Sequence, residues 1–244
     1  METKDRYALL KELTESSPSS GTWLALRELF LNWPNGEKKD QALTETAQKL
    51  HGWDDNLREL TSTWRPMFSG NEANPFCSLV RTLEFHRHSQ GATSILKKVA
   101  ESPRFTNLTQ LRIINSEIEG YGFQSLAKSL YLKNLIKLTL HKIVITERQM
   151  EILCSSPNMA TLKSLKLSKS DLTGKDTALL TSSPYLRNLE ELDLSDNLLQ
   201  VKDIVPIIEV LAPLNLRLLN LKGNPIKGQD ELRSICPSTL KLEI

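Results

Sequence analysis

A 27-residue repeat constrains this chain more than any other feature of its sequence. Five segments share the pattern L-x-x-L-x-L-x-x-(N/S)-x-L, with small variations, and each starts 27 residues after the one before. They begin at Leu108, Leu135, Leu162, Leu189 and Leu216. The central L-x-L has the period of a β-strand, so its apolar residues share one face. One short strand cannot bury that face, and the repeats therefore predict parallel strands stacked around a common core.

The second half of each repeat has the spacing of a helix. Apolar residues recur at intervals of three and four, for example at Phe123, Leu126 and Leu130. Thr146 and Thr173 stand where a helix N-cap is expected. Prolines that should follow the helix ends stand at Pro157, Pro184 and Pro213. Because a helix is wider than a strand, the helices should form the convex side and the strands the concave side.

The ninth position of the pattern predicts how the chain bends after each strand. An asparagine amide there can satisfy backbone groups at the bend, and a serine can do part of this. The position is occupied by Ser116, Ile143, Ser170, Asn197 and Asn224. Isoleucine offers no hydrogen bond, so we expect an irregular bend at Ile143 in the middle of the array.

Two weaker matches extend the repeat. Upstream, Val80, Leu83 and Phe85 fit the pattern with a 28-residue step and His88 in the asparagine position. Downstream, a last strand is predicted around Leu242. We expect the edge of that strand to be exposed unless a partner covers it.

Residues 1–75 lack the repeat, and residues 76–244 carry it, which predicts two domains. Four helices are predicted in the first domain, over 5–16, 22–33, 38–50 and 54–63, and residues 66–78 are predicted to be a linker. The four tryptophans all lie in this segment, at Trp23, Trp33, Trp53 and Trp64. We expect them to form the core of a helical cap over the first repeat. A separate docking domain is the alternative.

The stretch LLTSSPYLRNLEELDLSDN resembles bacterial leucine-rich-repeat proteins of the ribonuclease-inhibitor-like subclass. The stretch WLALRELFLNWP loosely resembles the helical repeat-companion segment that often precedes their repeats. The resemblance covers about residues 80–244. It implies an α/β leucine-rich-repeat solenoid, a scaffold that hosts many binding partners and rarely any chemistry.

The sequence offers no catalytic or cofactor-binding set. It has no phosphate-binding glycine loop, no H-E-x-x-H and no C-x-x-C. His86, His88 and His141 make a poor candidate metal site, because a zinc ion needs three or four converging ligands. Cys154 falls on a helix and is expected to be a buried small residue, and nothing fixes the geometry of Cys77 relative to a base. We therefore expect a protein that is not an enzyme and has no cofactor.

Charge and cysteine content suggest a location. The 31 basic and 29 acidic side chains nearly balance, so no overall charge drives the chain towards nucleic acid or membrane. Three widely spaced cysteines do not make a disulfide framework. With no secretory signal and no membrane-spanning apolar run in the sequence, we expect the chain in the cytoplasm.

The outward positions of the strands carry the only pattern that suggests a function. The first four turns are rich in Lys and Arg, and the fifth is acidic. The candidate binding residues are Glu84, His86, Arg87, Arg112, Lys137, His141, Lys142, Lys166, Lys169, Glu191, Asp193 and Asp196. These charges are either an ordinary solvated face or a surface complementary to another protein. The second interpretation predicts an interaction module, an adaptor or subunit of a larger bacterial complex.

Two alternatives stay open at this point. The basic stripe could bind RNA or DNA, although the face has no aromatic residues for base stacking and its acidic turn would repel a phosphate backbone. The tryptophan-rich cap, rather than the concave face, could hold the protein partner.

Overall fold

The computed structural model describes residues 3–61, 73–86 and 91–244 of the 244-residue chain. Within these ranges the strands form one parallel sheet of eight, ordered as in the sequence. The strands are β1 Glu59–Thr61, β2 Thr82–His86, β3 Gln110–Ile114, β4 Lys137–His141, β5 Ser164–Lys166, β6 Glu191–Asp193, β7 Leu218–Asn220 and β8 Lys241–Glu243. Sequence neighbours are therefore sheet neighbours throughout, which is the topology of a solenoid. The predicted fold, an α/β leucine-rich-repeat solenoid with a helical N-terminal cap, is confirmed.

Helices connect the strands on the opposite side of the core. They are α4 Ala92–Glu101, α5 Gly120–Lys128, α6 Glu147–Cys154, α7 Gly174–Ser182, α8 Val201–Leu211 and α9 Gln229–Ile235, and each contacts the next. Thr146 caps α6, because its amide bonds Gln149 Oε1 at 2.8 Å and its hydroxyl accepts from the Gln149 amide. Thr173 caps α7 through Asp176. The predicted caps and the prolines after the helices are confirmed.

The strand register explains the two faces of the sheet. From β3 to β7 each pairing step is 27 residues, so Gln110, Lys137 and Ser164 lie side by side. Alternate residues point into the core, where Leu165, Leu192 and equivalent leucines are fully buried. The residues between them face the concave side.

Asparagine at the ninth position holds the bend as predicted. Asn197 Nδ2 donates to the carbonyls of Leu167 and Leu194 at 2.8 and 2.9 Å. Its Oδ1 accepts from the amides of Ser170 and Leu172 at 2.9 and 3.1 Å. The side chain is only 3% exposed. It therefore satisfies buried backbone groups of two neighbouring turns at once.

The prediction of an irregular bend at Ile143 is wrong. The turn residue just before the ninth position has the same left-handed conformation in successive repeats, with φ of 49° at Asn115, 55° at Lys142 and 54° at Lys169. The Asn115 amide donates to the His141 carbonyl, and the Lys142 amide donates to the Ser168 carbonyl, both at 2.8 Å. Because these backbone bonds continue the ladder past the strands, the bend stays regular without a polar side chain at Ile143.

Two further side-chain ladders run along the loops after the helices. Asn134 Nδ2 donates to the Thr106 carbonyl at 2.9 Å, and Asn188 Nδ2 donates to the Ala160 carbonyl at 2.8 Å. Ser156 in its S-P loop donates to the carbonyl of Ala127 at 2.8 Å. The same bonds recur one repeat away at Asn107, Asn215, Ser129 and Ser183. Each ladder ties one turn to the turn before it.

Three of the predicted N-terminal helices are confirmed as α1 Thr3–Glu15, α2 Ser20–Leu31 and α3 Glu37–Lys49. Trp23, Trp33 and Trp53 are buried, and Trp23 contacts Phe76 with ring centroids 4.8 Å apart. The prediction that tryptophans form the core of the cap is confirmed for these three. Trp64 lies outside the described residues.

The prediction of a fourth helix over 54–63 is wrong. Its described part forms a 3₁₀ turn, Asp55–Arg58, followed by β1. β1 pairs with β2 in the register Leu60 to Leu83, so the sheet begins before the recognisable repeats. Leu60 gains complete burial in this position, which a surface helix would not give it.

The predicted linker 66–78 is also wrong where it can be compared. Pro75–Leu79 forms a 3₁₀ turn, and Phe76 within it is fully buried. Residues 66–72 lie outside the described residues. The division into domains at residues 75 and 76 stays a prediction.

A buried arginine joins the cap to the sheet. The guanidinium of Arg58 donates to the Leu79 carbonyl through Nε at 2.8 Å and Nη2 at 2.5 Å, and to the Leu50 carbonyl through Nη1 at 3.3 Å. Burial lowers the pKa of Arg58 to about 10, which leaves it charged at neutral pH. The charge makes these bonds to backbone carbonyls stronger than neutral ones.

Candidate binding face

The concave face carries the candidate binding residues. Glu84, His86, Arg112, Lys137, His141, Lys166, Glu191 and Asp193 occupy its strand positions. Lys142, Lys169 and Asp196 follow the strands at one repeat position, each in the left-handed conformation. Arg87 lies outside the described residues. The structure therefore brings eight of the twelve predicted residues to one face of the sheet, as the period-two pattern requires, and places three more in the bends that follow its strands.

Arg112 is held by acidic side chains of the preceding strands. Its Nη1 lies 3.2 Å from Glu59 Oε2 and 3.7 Å from Glu84 Oε2. Its Nη2 donates to Asn56 Oδ1 at 2.8 Å. Burial raises the pKa of Glu59, and the Arg112 charge opposes that rise. The Arg112 guanidinium is thus bound within its own fold and is less available for an ion pair with a partner.

Two lysines at the other side of the face are held in the same way. Lys166 Nζ lies 2.7 Å from Glu191 Oε1, and Ser164 Oγ donates to Glu191 Oε2 at 2.7 Å. Burial raises the pKa of Glu191, but the bonds from Lys166 and Ser164 outweigh it, so the pKa is lowered overall. Lys169 Nζ lies 3.9 Å from Asp196 Oδ2. The predicted step from basic to acidic is therefore bridged by ion pairs between neighbouring strands.

Lys137 and Lys142 differ from these cations, and we call them the β4 lysines. Both are exposed, and within the described ranges neither has a carboxylate within 4.0 Å. His141 lies between them, with Nδ1 2.8 Å from Ser168 Oγ. The charge of Lys137 helps to lower the pKa of Glu191, but no ion pair joins the two side chains. The β4 lysines are thus exposed cations without a described ion pair, Lys137 on the concave face and Lys142 at the bend after β4.

The charge map differs from the sequence prediction at its first end, because β1 adds Glu59 in front of Glu84. The face runs from acidic at β1 and β2, through cationic at β3 to β5, to acidic again at β6. Glu59 was missed because its segment matches the repeat only through Leu57 and Leu60, with a 23-residue step to Val80 and Leu83. That short L-x-x-L match is the signal that could have found it.

Two of the three cysteines are buried thiols without the low pKa of a nucleophile. Burial raises the pKa of both Cys77 and Cys154 to about 12, so both are protonated thiols at neutral pH, and Cys154 is the buried small residue expected. His86 and His141 join no described group of three or more side chains able to hold a metal ion. Among the described helices none is long and apolar enough to cross a membrane.

Comparisons with known proteins find only distant structural likenesses. No protein-family model matches the chain, and no curated protein matches its sequence. A solved structure of a Bacteroides fragilis protein is similar to 72% of this chain over 68% of its own length, with 13% identity and a TM-score of 0.39. An internalin of Listeria monocytogenes is similar to 69% of this chain over 68% of its own, with 14% identity and a TM-score of 0.32. These likenesses are too distant to carry an argument, and the fold assignment depends on strand order and repeat register.

Proposed function

We propose that this chain is a non-catalytic protein-interaction module whose partner binds the concave face at the β4 lysines. The observation that carries the proposal is the contrast between Lys137 and Lys142, which are exposed without a described ion pair, and Arg112 and Lys166, which are paired. A cation already paired within its own fold gains less by meeting a partner's acid than an exposed cation without such a pair does.

The charges around the β4 lysines suggest the chemistry of the partner. A segment with acidic residues over β4 would meet Lys137 at the start of the strand and Lys142 at the bend after it. A basic residue to one side of that segment would meet Asp193 on β6. Such a pattern would direct the orientation of binding and raise the association rate more than it would add affinity.

The charged concave surface also suggests a wider role. An adaptor or subunit of a larger bacterial complex fits a surface with charges arranged in this way. Cys77, Cys154 and Cys236 are all free thiols in the structure, which suits the reducing cytoplasm.

A pull-down with a matched control tests the proposal. The bait is the full chain, either unchanged, with Lys137→Glu and Lys142→Glu, or with Lys133→Glu and Lys202→Glu as a control of equal charge at exposed sites off the concave face. We expect the unchanged chain and the control to retain a stoichiometric protein that the β4 variant loses. Retention by the β4 variant would reject the proposed face and favour the tryptophan-rich cap.

Nucleic-acid binding is the rival outcome. It predicts retention of single-stranded RNA or duplex DNA in a filter assay at about 50 mM salt, with a steep loss as salt rises. The acids on both sides of β4 would repel a phosphate backbone, and no concave strand position in the described ranges is Phe, Tyr or Trp. We therefore expect no retention.

A further inference from the structure

The two edges of the sheet differ in the hydrogen bonds that their outer backbone groups make. At the first edge, the indole Nε1 of Trp23 donates to the carbonyl of Glu59 on β1 at 2.7 Å. At the last edge, no described strand pairs with the outer side of β8, and no described side chain hydrogen-bonds the backbone of Leu242. An unpaired edge is a template for another strand.

The backbone of β8 fixes which groups lie on that edge. The Lys241 amide donates to the Arg217 carbonyl at 2.8 Å, and the Glu243 carbonyl accepts from the Leu221 amide at 2.6 Å. Both residues therefore direct their backbone groups towards β7. Because alternate residues of a strand direct these groups to opposite sides, the N–H and C=O of Leu242 point to the open edge.

The side chains on the core face are also less buried at this last turn than at the turn before it. Leu219 and Leu221 on the core face are fully buried, whereas Leu242 and Ile244 are only half-buried. Helix α9 buries only Leu232, and Ile235 at its end is 41% exposed. An added layer at this edge would cover apolar surface as well as complete hydrogen bonds.

We propose that two copies of this chain associate through β8, which pairs antiparallel with β8 of the second copy about a two-fold axis at Leu242. The two Leu242 residues would exchange both N–H···O bonds at the axis. Lys241 of each copy would lie across from Glu243 of the other, and both side chains are on the concave face. The sheet would then continue from one copy into the other.

The order of charges on β8 favours a second copy as the occupant. A two-fold interface uses the same surface twice, so that surface must be complementary to itself. Lys241 and Glu243 stand symmetrically about Leu242, so antiparallel pairing sets opposite charges across the strands at both positions. Within one copy Lys241 and Lys222 already contact Glu243, so the new pair extends an existing charge cluster.

A charge-swap experiment tests this pairing. The full chain should run in light scattering at twice its monomer mass of 27.6 kDa. This should hold at about 100 µM, where a dimer with a micromolar Kd is well populated. Lys241→Glu alone and Glu243→Lys alone should each be monomers, because each sets like charges across the axis. A mixture of the two variants should form a heterodimer, and K241E/E243K in one chain should dimerise by itself.

Two further variants separate edge pairing from general damage. Leu242→Pro removes the outward N–H while leaving the bonds to β7, so the variant should be a monomer with unchanged circular dichroism. Lys227→Glu, an exposed change outside β8, should leave the dimer intact. A monomeric unchanged chain, a dimer that survives Leu242→Pro, or single variants that fail to recover on mixing would each overturn the proposal. Since β8 lies at the edge and β4 within the sheet, loss of either proposal leaves the other standing.

Discussion

At the scale of single residues, the repeat depends on a few polar side chains that serve the backbone. The sequence pattern located Asn197 and Asn224 correctly because an amide is needed once per turn, at a fixed position. It missed the asparagines and serines of the loops after the helices, although they recur every 27 residues, because they lie outside the leucine pattern. The left-handed conformation of Lys142 was not predictable, since lysine has no preference for it.

Asn197→Ala should be the more costly of two matched substitutions. It leaves three buried backbone groups without this partner, while the Leu194 carbonyl still accepts from Asn224 Nδ2, and we expect a loss of about 3 kcal/mol in the free energy of unfolding. Asn224→Ala, at a partly exposed turn, should cost about half as much. Urea denaturation of both variants measures the difference. Equal losses would show that the buried amide is not what holds the bend.

Lys142→Asn should stabilise the fold. Lysine at φ of 55° carries steric strain that asparagine tolerates better, so we expect a gain of about 0.5 kcal/mol. Lys133→Asn is the control, because Lys133 is exposed and not left-handed. Thermal unfolding compares the two, and a gain confined to the control would contradict the strain argument.

Thiol labelling should separate the three cysteines. Cys236 is half-buried and should react first with a thiol reagent at pH 8, whereas Cys77 and Cys154 should react only on unfolding. Burial raises the pKa of the last two from 9.0 to about 12. The unfolded chain therefore loses these protons before the folded chain does, and stability should fall as pH rises above 9. Mass spectrometry after timed labelling checks the order, and early labelling of Cys77 would contradict the burial.

At the scale of elements, the sequence predicted strands better than it predicted where the sheet begins. The helices after each strand, their caps and their prolines follow from local patterns that the structure reproduces. Residues 54–63 contain too few apolar positions to separate a strand from a helix, and their 23-residue step hides them from the repeat. Pairing with β2 decides the outcome, and that is a long-range contact.

Trp23→Phe should weaken the first edge of the sheet. It removes the indole bond to Glu59 while keeping an aromatic ring in place, which should cost about 1 kcal/mol. Trp33→Phe is the control, because the structure gives its buried indole no hydrogen bond to a described residue. Hydrogen exchange should rise at the β1 amides only in the Trp23 variant. Equal effects of the two changes would show that ring size, not the edge bond, matters.

At the scale of the whole molecule, charge on the concave face is organised by pairs between strands. The sequence placed the eight described strand residues of the candidate set on one face, because period two and a 27-residue step determine which side chains are neighbours. It could not show which cations are paired, since this depends on side-chain distances such as the 2.7 Å between Lys166 and Glu191. The pairing reduces a broad basic stripe to the β4 lysines.

Cross-linking from the centre of the concave face tests the central claim most directly. A photoreactive amino acid would replace Thr139, which lies between the β4 lysines. In a second chain it would replace Leu130, which is 70% exposed in the loop after α5. The account predicts a protein adduct from position 139 and none from position 130, with the adduct lost when Lys137→Glu and Lys142→Glu are added. A protein adduct from position 130 with none from position 139 would contradict it.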